Sequence, residues 1–137
     1  MDDFFMKVFG KDYDFSGEQN TEDRISAIEQ KLEIKFPKLY RDIILKHNGG
    51  YGEIGDYDYE LWSIEDIDSF NSTIIGLGDL VQFSSDSIGD DYAFDKHDCS
   101  IYLVLEDSCD YKDAKRIADS FENFMIDMSN GEIFDPW

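Results

Sequence analysis

Residues 21–50, TEDRISAIEQKLEIKFPKLYRDIILKHNGG, predict two helices joined by a tight turn. Asn20 or Thr21 can cap the first helix, which is expected to run to about Glu33. Its apolar stripe consists of Ile25, Ile28 and Leu32. Pro37 suits the first position of the second helix, whose stripe consists of Leu39, Tyr40, Ile43, Ile44 and His47. Asn48-Gly49-Gly50 should end this helix, because glycine tolerates the left-handed conformation common at helix C-termini.

Beyond this helical hairpin the apolar residues begin to alternate with polar ones, which is typical of strands. Strands are predicted at 57–61, 81–84, 90–94 and 101–105. The last should be central in its sheet, because it is apolar on both faces. Ser63-Ile64-Glu65-Asp66 predicts the start of a helix, and the spacing of Phe121, Phe124, Met125 and Met128 predicts a final helix over about 119–129. This order predicts an α+β fold with a mixed or antiparallel sheet flanked by helices.

The length and composition predict one folded domain spanning residues 1–137. The chain is 42% hydrophobic and 15% aromatic, enough for a core without disulfides. Its net charge of −20 argues against nucleic acid or an anionic membrane surface as a partner. No apolar run approaches the length of a membrane span, and the N-terminus lacks the basic region of a signal peptide. The expected location is therefore the cytoplasm.

The charge is distributed unevenly along the chain. Residues 21–46 are nearly neutral, whereas twelve acidic residues and no Lys or Arg lie between Lys46 and Lys96. Tyrosines and a tryptophan are interleaved with the first of these acids, and such residues often anchor protein interfaces. The candidate partner-binding residues are Asp56, Tyr57, Asp58, Tyr59, Glu60, Trp62, Asp66, Asp90 and Asp91. The alternative is a strand that packs one face inward and exposes an ordinary solvated face.

The sequence contains no recognisable catalytic or metal-binding motif. The acidic run that starts at Asp56 has Leu61 and Ile67 where a calcium loop needs Gly and Glu. His47 and His97 are the only histidines, and no nucleophile elbow, zinc motif or phosphate loop accompanies them. Cys99 and Cys109 are expected to be reduced thiols packed beside residues 101–105. We therefore expect no catalytic residue, no metal and no cofactor.

Three segments, in order, resemble the SMI1/KNR4 (SUKH) superfamily over about residues 20–130. The first is Ile28-Glu29-x-x-Leu32, Phe36-Pro37-x-x-Tyr40 and Asn48-Gly49-Gly50. The second is Asp86-x-x-Gly89-Asp90-x-Tyr92-Ala93-Phe94-Asp95, and the third is Ile117-Ala118-Asp119-Ser120-Phe121-Glu122-x-Phe124. Two positions depart from the common pattern: Glu33 stands where many members have Gly, and Phe36 replaces the usual Leu.

The resemblance implies an α+β fold and a role in binding. Bacterial members of the superfamily are typically immunity proteins of polymorphic or contact-dependent toxin systems, and each blocks one toxin domain, often a nuclease. The superfamily shares no catalytic residues, so none is carried over to this chain. The leading hypothesis is an immunity protein that binds a basic toxin domain, and the alternative is an intracellular regulatory or scaffold module without a toxin. Sequence does not separate these two binders, and the oligomeric state stays open.

Overall fold

The computed structural model describes residues 8–9, 13–55, 57–73, 78–86, 89–105 and 111–131. Four α-helices of at least nine residues lie in these ranges: α1 (Glu22–Leu32), α2 (Lys38–Lys46), α3 (Ile64–Thr73) and α4 (Phe121–Ser129). A short 3₁₀ helix covers Tyr111–Asp113. The strands are β1 (Asp14–Phe15), β2 (Gly50–Ile54), β3 (Tyr57–Leu61), β4 (Leu80–Asp86), β5 (Asp91–Asp95), β6 (Ile101–Val104) and β7 (Lys115–Ala118). The predicted α+β fold is confirmed.

The seven strands form one sheet, in the same order as they occur in the chain. Every neighbouring pair is antiparallel, so the sheet is antiparallel rather than mixed. The predicted strand at 101–105 is the sixth of seven, bonded on both sides but next to the edge strand β7. Sequence analysis missed β2, because Gly49-Gly50 was interpreted only as a helix stop.

The helical hairpin forms close to its predicted limits. Thr21 caps α1, and its hydroxyl accepts a hydrogen bond from the Arg24 N–H. α1 ends at Glu33, which adopts the left-handed conformation with φ of 59°. Pro37 is the N-cap of α2 rather than its first residue, and His47 is already extended. Each difference is a shift of one residue at a helix end.

The core is aromatic and lies between the helices and one face of the sheet, here called the inner face. Tyr40 of α2 is fully buried, and its ring packs edge-on against Phe83 of β4, Phe94 of β5 and Phe121 of α4. Phe124 of α4 belongs to the same layer and contacts Tyr59 of β3 edge-on and Tyr92 of β5 at a tilt. Side chains alternate between the faces of a strand, so the neighbours of Tyr59 and Tyr92 point to the opposite, outer face.

Helix α3 lies along β4 beyond the point where β3 ends. The Asn71 side chain donates a hydrogen bond to the Gln82 carbonyl and accepts one from the Gln82 N–H, both at 2.8 Å. These two bonds satisfy the backbone of Gln82 on the side of β4 that β3 does not reach. Ser63 caps α3 by accepting a hydrogen bond from the Asp66 N–H at 3.2 Å. As a result the first turn of α3, with Glu65 and Asp66, stands beside the end of β3.

Candidate protein-binding surface

The outer face of β1, β2 and β3 carries a row of polar and aromatic side chains. Asp14, Tyr51, Glu60, Ser85 and Asp91 are directly opposite one another on successive strands. Directly opposite residues of antiparallel strands project on the same side of the sheet. At β5 and β6 the outer face is different: Ala93 and Val104 are buried there with Leu80 of β4. The acidic, exposed part of the outer face is therefore confined to β1–β3 and the adjoining edge of β4 and β5.

A groove of about 460 Å³ opens on this part of the outer face. Three carboxylates line it, those of Asp14, Glu60 and Asp66, together with Tyr51. Gly49 and Gly50 also line it. A Cβ on Gly49 would lie 2.9 Å from the Leu61 carbonyl oxygen, which is closer than side-chain atoms approach. Gly49 also has φ of 98°, so both its backbone and its surroundings require glycine.

Among the residues that the structure describes, no basic side chain lines the groove. Five acids lie on or beside this surface without a Lys, Arg or His within 4.0 Å in the part of the chain that the structure describes: Asp14, Glu53, Asp58, Glu60 and Asp66. Burial, followed by the nearby charge of Asp66, raises the pKa of the Glu60 carboxyl above its usual range. The two carboxylates therefore repel each other across the groove.

The helical side of the molecule shows the opposite arrangement. Arg24 pairs with Glu65, Lys31 with Asp68 at 2.6 Å, and Lys38 with Asp42 at 2.8 Å. Arg41 binds both Glu22 and Glu29. Surface pairs of this kind add little stability, but they neutralise most of the field on that side. Several acids of the helical side are therefore paired, unlike the five acids named on or beside the groove.

Two aromatic side chains are exposed beside the acids. Tyr51 and Phe70 are 55% and 45% exposed, the most of any large hydrophobic side chain described. A line of contacts joins them: Tyr51 is opposite Glu60 and Glu60 is opposite Ser85. The Ser85 hydroxyl then accepts a hydrogen bond from the Trp62 indole N–H at 3.1 Å, and the Trp62 ring lies 4.8 Å from that of Phe70. The surface thus combines carboxylates with aromatic rings at both ends.

The structure divides the predicted partner-binding residues into three groups. Glu60 and Asp66 are exposed and line the groove, while Asp58 and Asp91 are partly buried on the same outer face. Asp90 is partly exposed in the turn before β5, where its N–H donates to the Asp86 carboxylate at 3.1 Å. Asp56 lies outside the described residues.

The predicted aromatic anchors are placed differently from expectation. Tyr59 is fully buried and contacts Phe124 and Tyr92, so it belongs to the core and was wrong as a surface anchor. Trp62 is only 6% exposed and supports Phe70 from below. Tyr57 lies on the same face of β3 as Tyr59 and is partly buried against the core. The exposed rings are Tyr51 and Phe70, which sequence analysis missed.

One pattern in the sequence could have identified Tyr51. Residues 50–54, Gly-Tyr-Gly-Glu-Ile, place Tyr51 and Glu53 at every second position, which indicates a strand with both on one face. Both positions require glycine because a Cβ atom would come too close to the Tyr13 side chain, 2.8 Å from it at Gly50 and 3.0 Å from it at Gly52. Phe70, by contrast, continues the apolar stripe of α3 and gives no signal of exposure.

The remaining chemistry-bearing groups contribute no second site. Among the described residues no three His, Cys, Asp or Glu side chains are grouped to hold a metal ion, and no helix there is long and apolar enough to cross a membrane. Cys99 packs against the core, and its thiol donates a hydrogen bond to the Lys35 carbonyl at 3.2 Å. Burial raises the pKa of this thiol, which disfavours the reactive thiolate. Cys109 lies outside the described residues.

Asn48 connects the hairpin to α3 and to the loop before α1. Its side-chain oxygen accepts hydrogen bonds from the Asn20 amide at 3.0 Å and the Ile64 N–H at 2.8 Å. Its amide donates to Glu18 and to Glu65, the latter at 2.8 Å. Three segments therefore meet at one buried side chain. These hydrogen bonds hold the end of α2 against the start of α3, and Asn48, Gly49 and Gly50 line the groove there.

Comparison with protein families agrees with this architecture. The model of the SMI1 / KNR4 family (SUKH-1) matches residues 19–127. The chain belongs to the SMI1/KNR4 family. No curated protein matches it. The matched residues include the helical hairpin, strands β2 to β7 and most of α4, but not β1.

The family-like residues of this SMI1/KNR4 protein serve its fold. Tyr40 fills the core and Asn48 joins three segments. In the second segment, the Tyr92 hydroxyl donates a hydrogen bond to the Asp86 carboxylate at 2.8 Å, which holds the turn between β4 and β5. The groove residues Tyr51, Glu60 and Asp66 lie outside the three segments. The same groove is also lined by Asn48, Gly49 and Gly50 of the first segment.

Proposed function

We propose that this SMI1/KNR4 family protein is an immunity protein that binds and neutralises one protein toxin. It acts by stoichiometric binding, without catalysis, in the cytoplasm where the toxin would act. The observation that carries the proposal is the groove on the outer face, where the carboxylates of Asp14, Glu60 and Asp66 adjoin the exposed ring of Tyr51. Its family membership supports the same role, because bacterial members resembling this chain are typically immunity proteins.

The charge of the outer face fits a toxin that acts on nucleic acid. A nuclease must hold phosphates with Lys and Arg, so its active cleft is positively charged. Carboxylates presented by Asp14, Glu60 and Asp66 can occupy such a cleft and exclude the nucleic acid. Complementary charge also steers encounter, raising association rate constants toward about 10⁸–10⁹ M⁻¹s⁻¹ at low salt. Fast capture protects a cell before the toxin has turned over many times.

Co-expression tests the proposal directly. A neighbouring reading frame that encodes a large secreted protein with a variable C-terminal domain would supply the candidate toxin. Expressed alone in a tester strain it should stop growth, and co-expression of this protein should restore growth. A catalytically inactive toxin variant should purify with this protein as a complex of defined stoichiometry. Undiminished toxicity with both proteins folded and abundant would overturn the proposal and favour the regulatory or scaffold module.

A further inference from the structure

We propose that the groove between Tyr51, Glu60 and Asp66 receives an arginine-bearing segment of a basic partner protein. The inference rests on the proposed function and adds which surface is used and what the partner inserts. It makes Tyr51 the central aromatic contact, with Phe70 at the margin of the interface. The buried residues Tyr59 and Trp62 are assigned no direct contact.

Charge complementarity selects a cationic occupant. Asp14, Glu60 and Asp66 line the groove, and no basic residue in the described part of the chain does, so an anionic group would be repelled. The volume of about 460 Å³ lies within the range of about 300–1,000 Å³ that is common for ligand sites. Self-repulsion between Glu60 and Asp66 would be relieved by a cation between them. Relief of this repulsion therefore adds to the favourable free energy of binding a cation.

The exposed ring selects arginine among cations. Tyr51 is directly opposite Glu60 and 55% exposed, so a group held by Glu60 lies beside its ring. A guanidinium can stack on an aromatic ring while its planar fork donates to a carboxylate. A lysine ammonium makes a point contact with the carboxylate and matches this geometry less well. A metal ion is the weaker alternative, since no described group of three ligating side chains is present.

The chain provides closely matched control positions. Asp66 and Glu122 are both exposed acids in the first turn of a helix, α3 and α4 respectively. α4 packs against the inner face, on the opposite side of the sheet from the groove. Asp66→Lys and Glu122→Lys therefore change the net charge and the helix terminus equally, but only Asp66→Lys alters the groove. Tyr51→Phe keeps the ring, whereas Tyr51→Ala removes it.

Titration with cationic peptides tests the surface without any toxin. ¹⁵N-labelled protein is titrated at physiological salt with octa-arginine amide and, separately, with octa-lysine amide. Octa-arginine should shift the amides of Tyr51, Glu60 and Ser85 and the Trp62 indole, and should bind more tightly than octa-lysine. Tyr51→Ala should weaken octa-arginine binding about threefold and leave octa-lysine nearly unchanged. Asp66→Lys should weaken both peptides more than Glu122→Lys does.

Shifts centred on another surface, or equal effects of Asp66→Lys and Glu122→Lys, would overturn the inference. So would a Tyr51→Ala variant that keeps its preference for arginine. The same variants are then tested against the toxin domain. If wild-type protein fails to bind the toxin while the peptide results hold, the immunity role fails and the arginine site stands. If the toxin binds every variant equally well, the immunity role stands on another surface and this inference fails.

Discussion

Glu60 is the residue whose ionisation reports most directly on the outer face. Its raised pKa, caused first by burial and then by Asp66, means that the folded protein disfavours the charged carboxylate relative to the unfolded chain. Stability from this residue is fully present below its unfolded pKa of about 4.3 and is lost as the pH rises through the raised folded pKa. The ionised groove is thus a source of instability at neutral pH.

Replacing Glu60 by Gln should therefore stabilise the isolated protein at neutral pH. The melting temperature of Glu60→Gln should exceed that of the wild type at pH 7, and the difference should disappear as the pH falls below about 4. Thermal unfolding at several pH values measures this. Glu122→Gln is the control and should give no gain, because an acid at a helix N-terminus is favourable. A Glu60→Gln variant no more stable than wild type at pH 7 would contradict the assigned environment.

At the residue scale, the sequence predicted that β3 carries acidic side chains, but it did not identify which aromatic residues are exposed beside them. Acids interleaved with aromatics correctly indicated an acidic strand, and Glu60 and Asp66 do line the groove. The alternation along β3 does not indicate which set of alternate residues faces the core. Tyr59 was therefore predicted as a surface anchor although it is buried. That choice is made by packing against Phe124 and Tyr92, which are distant in sequence from Tyr59. Tyr51 was missed because it lies on the strand that was not predicted.

At the element scale, the end of α1 shows how one residue limits stability. Glu33 has φ of 59° and ψ of 43°, a left-handed conformation that costs a residue with a Cβ about 1–2 kcal/mol. Its N–H still donates to the Glu29 carbonyl as a helix cap. Glycine at this position would meet the same requirement without strain.

Glu33→Gly should consequently raise the free energy of unfolding by about 1 kcal/mol. Equilibrium unfolding in urea provides the measurement, with an unchanged dependence on urea concentration as evidence that only stability has changed. Glu33→Ala keeps the Cβ and should give no comparable gain. Equal stabilisation by Ala and Gly would show that the charge of Glu33, rather than its backbone, was unfavourable.

The elements that could be predicted are those with strong local signals. The hairpin has caps, apolar stripes and a glycine stop, and its limits were predicted to within one residue. β3, β5 and α4 also follow from periodicity. β2 is different, because Gly50 and Gly52 have low strand propensity and are required by the Tyr13 side chain. The alternation of Tyr51 and Glu53 is thus the local signal for β2, and the contact of its glycines with Tyr13, about forty positions away, is visible only in the fold.

At the scale of the whole molecule, charge is separated between two sides. The helical side pairs several of its acids with Arg24, Lys31, Lys38 and Arg41, whereas Asp14, Glu53, Asp58, Glu60 and Asp66 have no Lys, Arg or His within 4.0 Å among the described residues. Composition revealed the net charge, and the run without Lys or Arg indicated where it would lie. The compensation on the helical side depends on contacts such as Arg24 with Glu65, which join different elements and emerge only from the fold.

The central claim is that the outer face, rather than net charge alone, captures a basic toxin domain. The most direct measurement is the association rate constant with that domain as a function of ionic strength, for wild type and two double variants. Glu60→Lys with Asp66→Lys changes the groove, and Asp23→Lys with Glu122→Lys makes the same change in net charge at helix N-termini elsewhere. The first variant should associate about tenfold more slowly at low salt and with a flatter salt dependence, and the second should remain close to wild type. Equal rates for the two variants, at every salt concentration, would contradict the account.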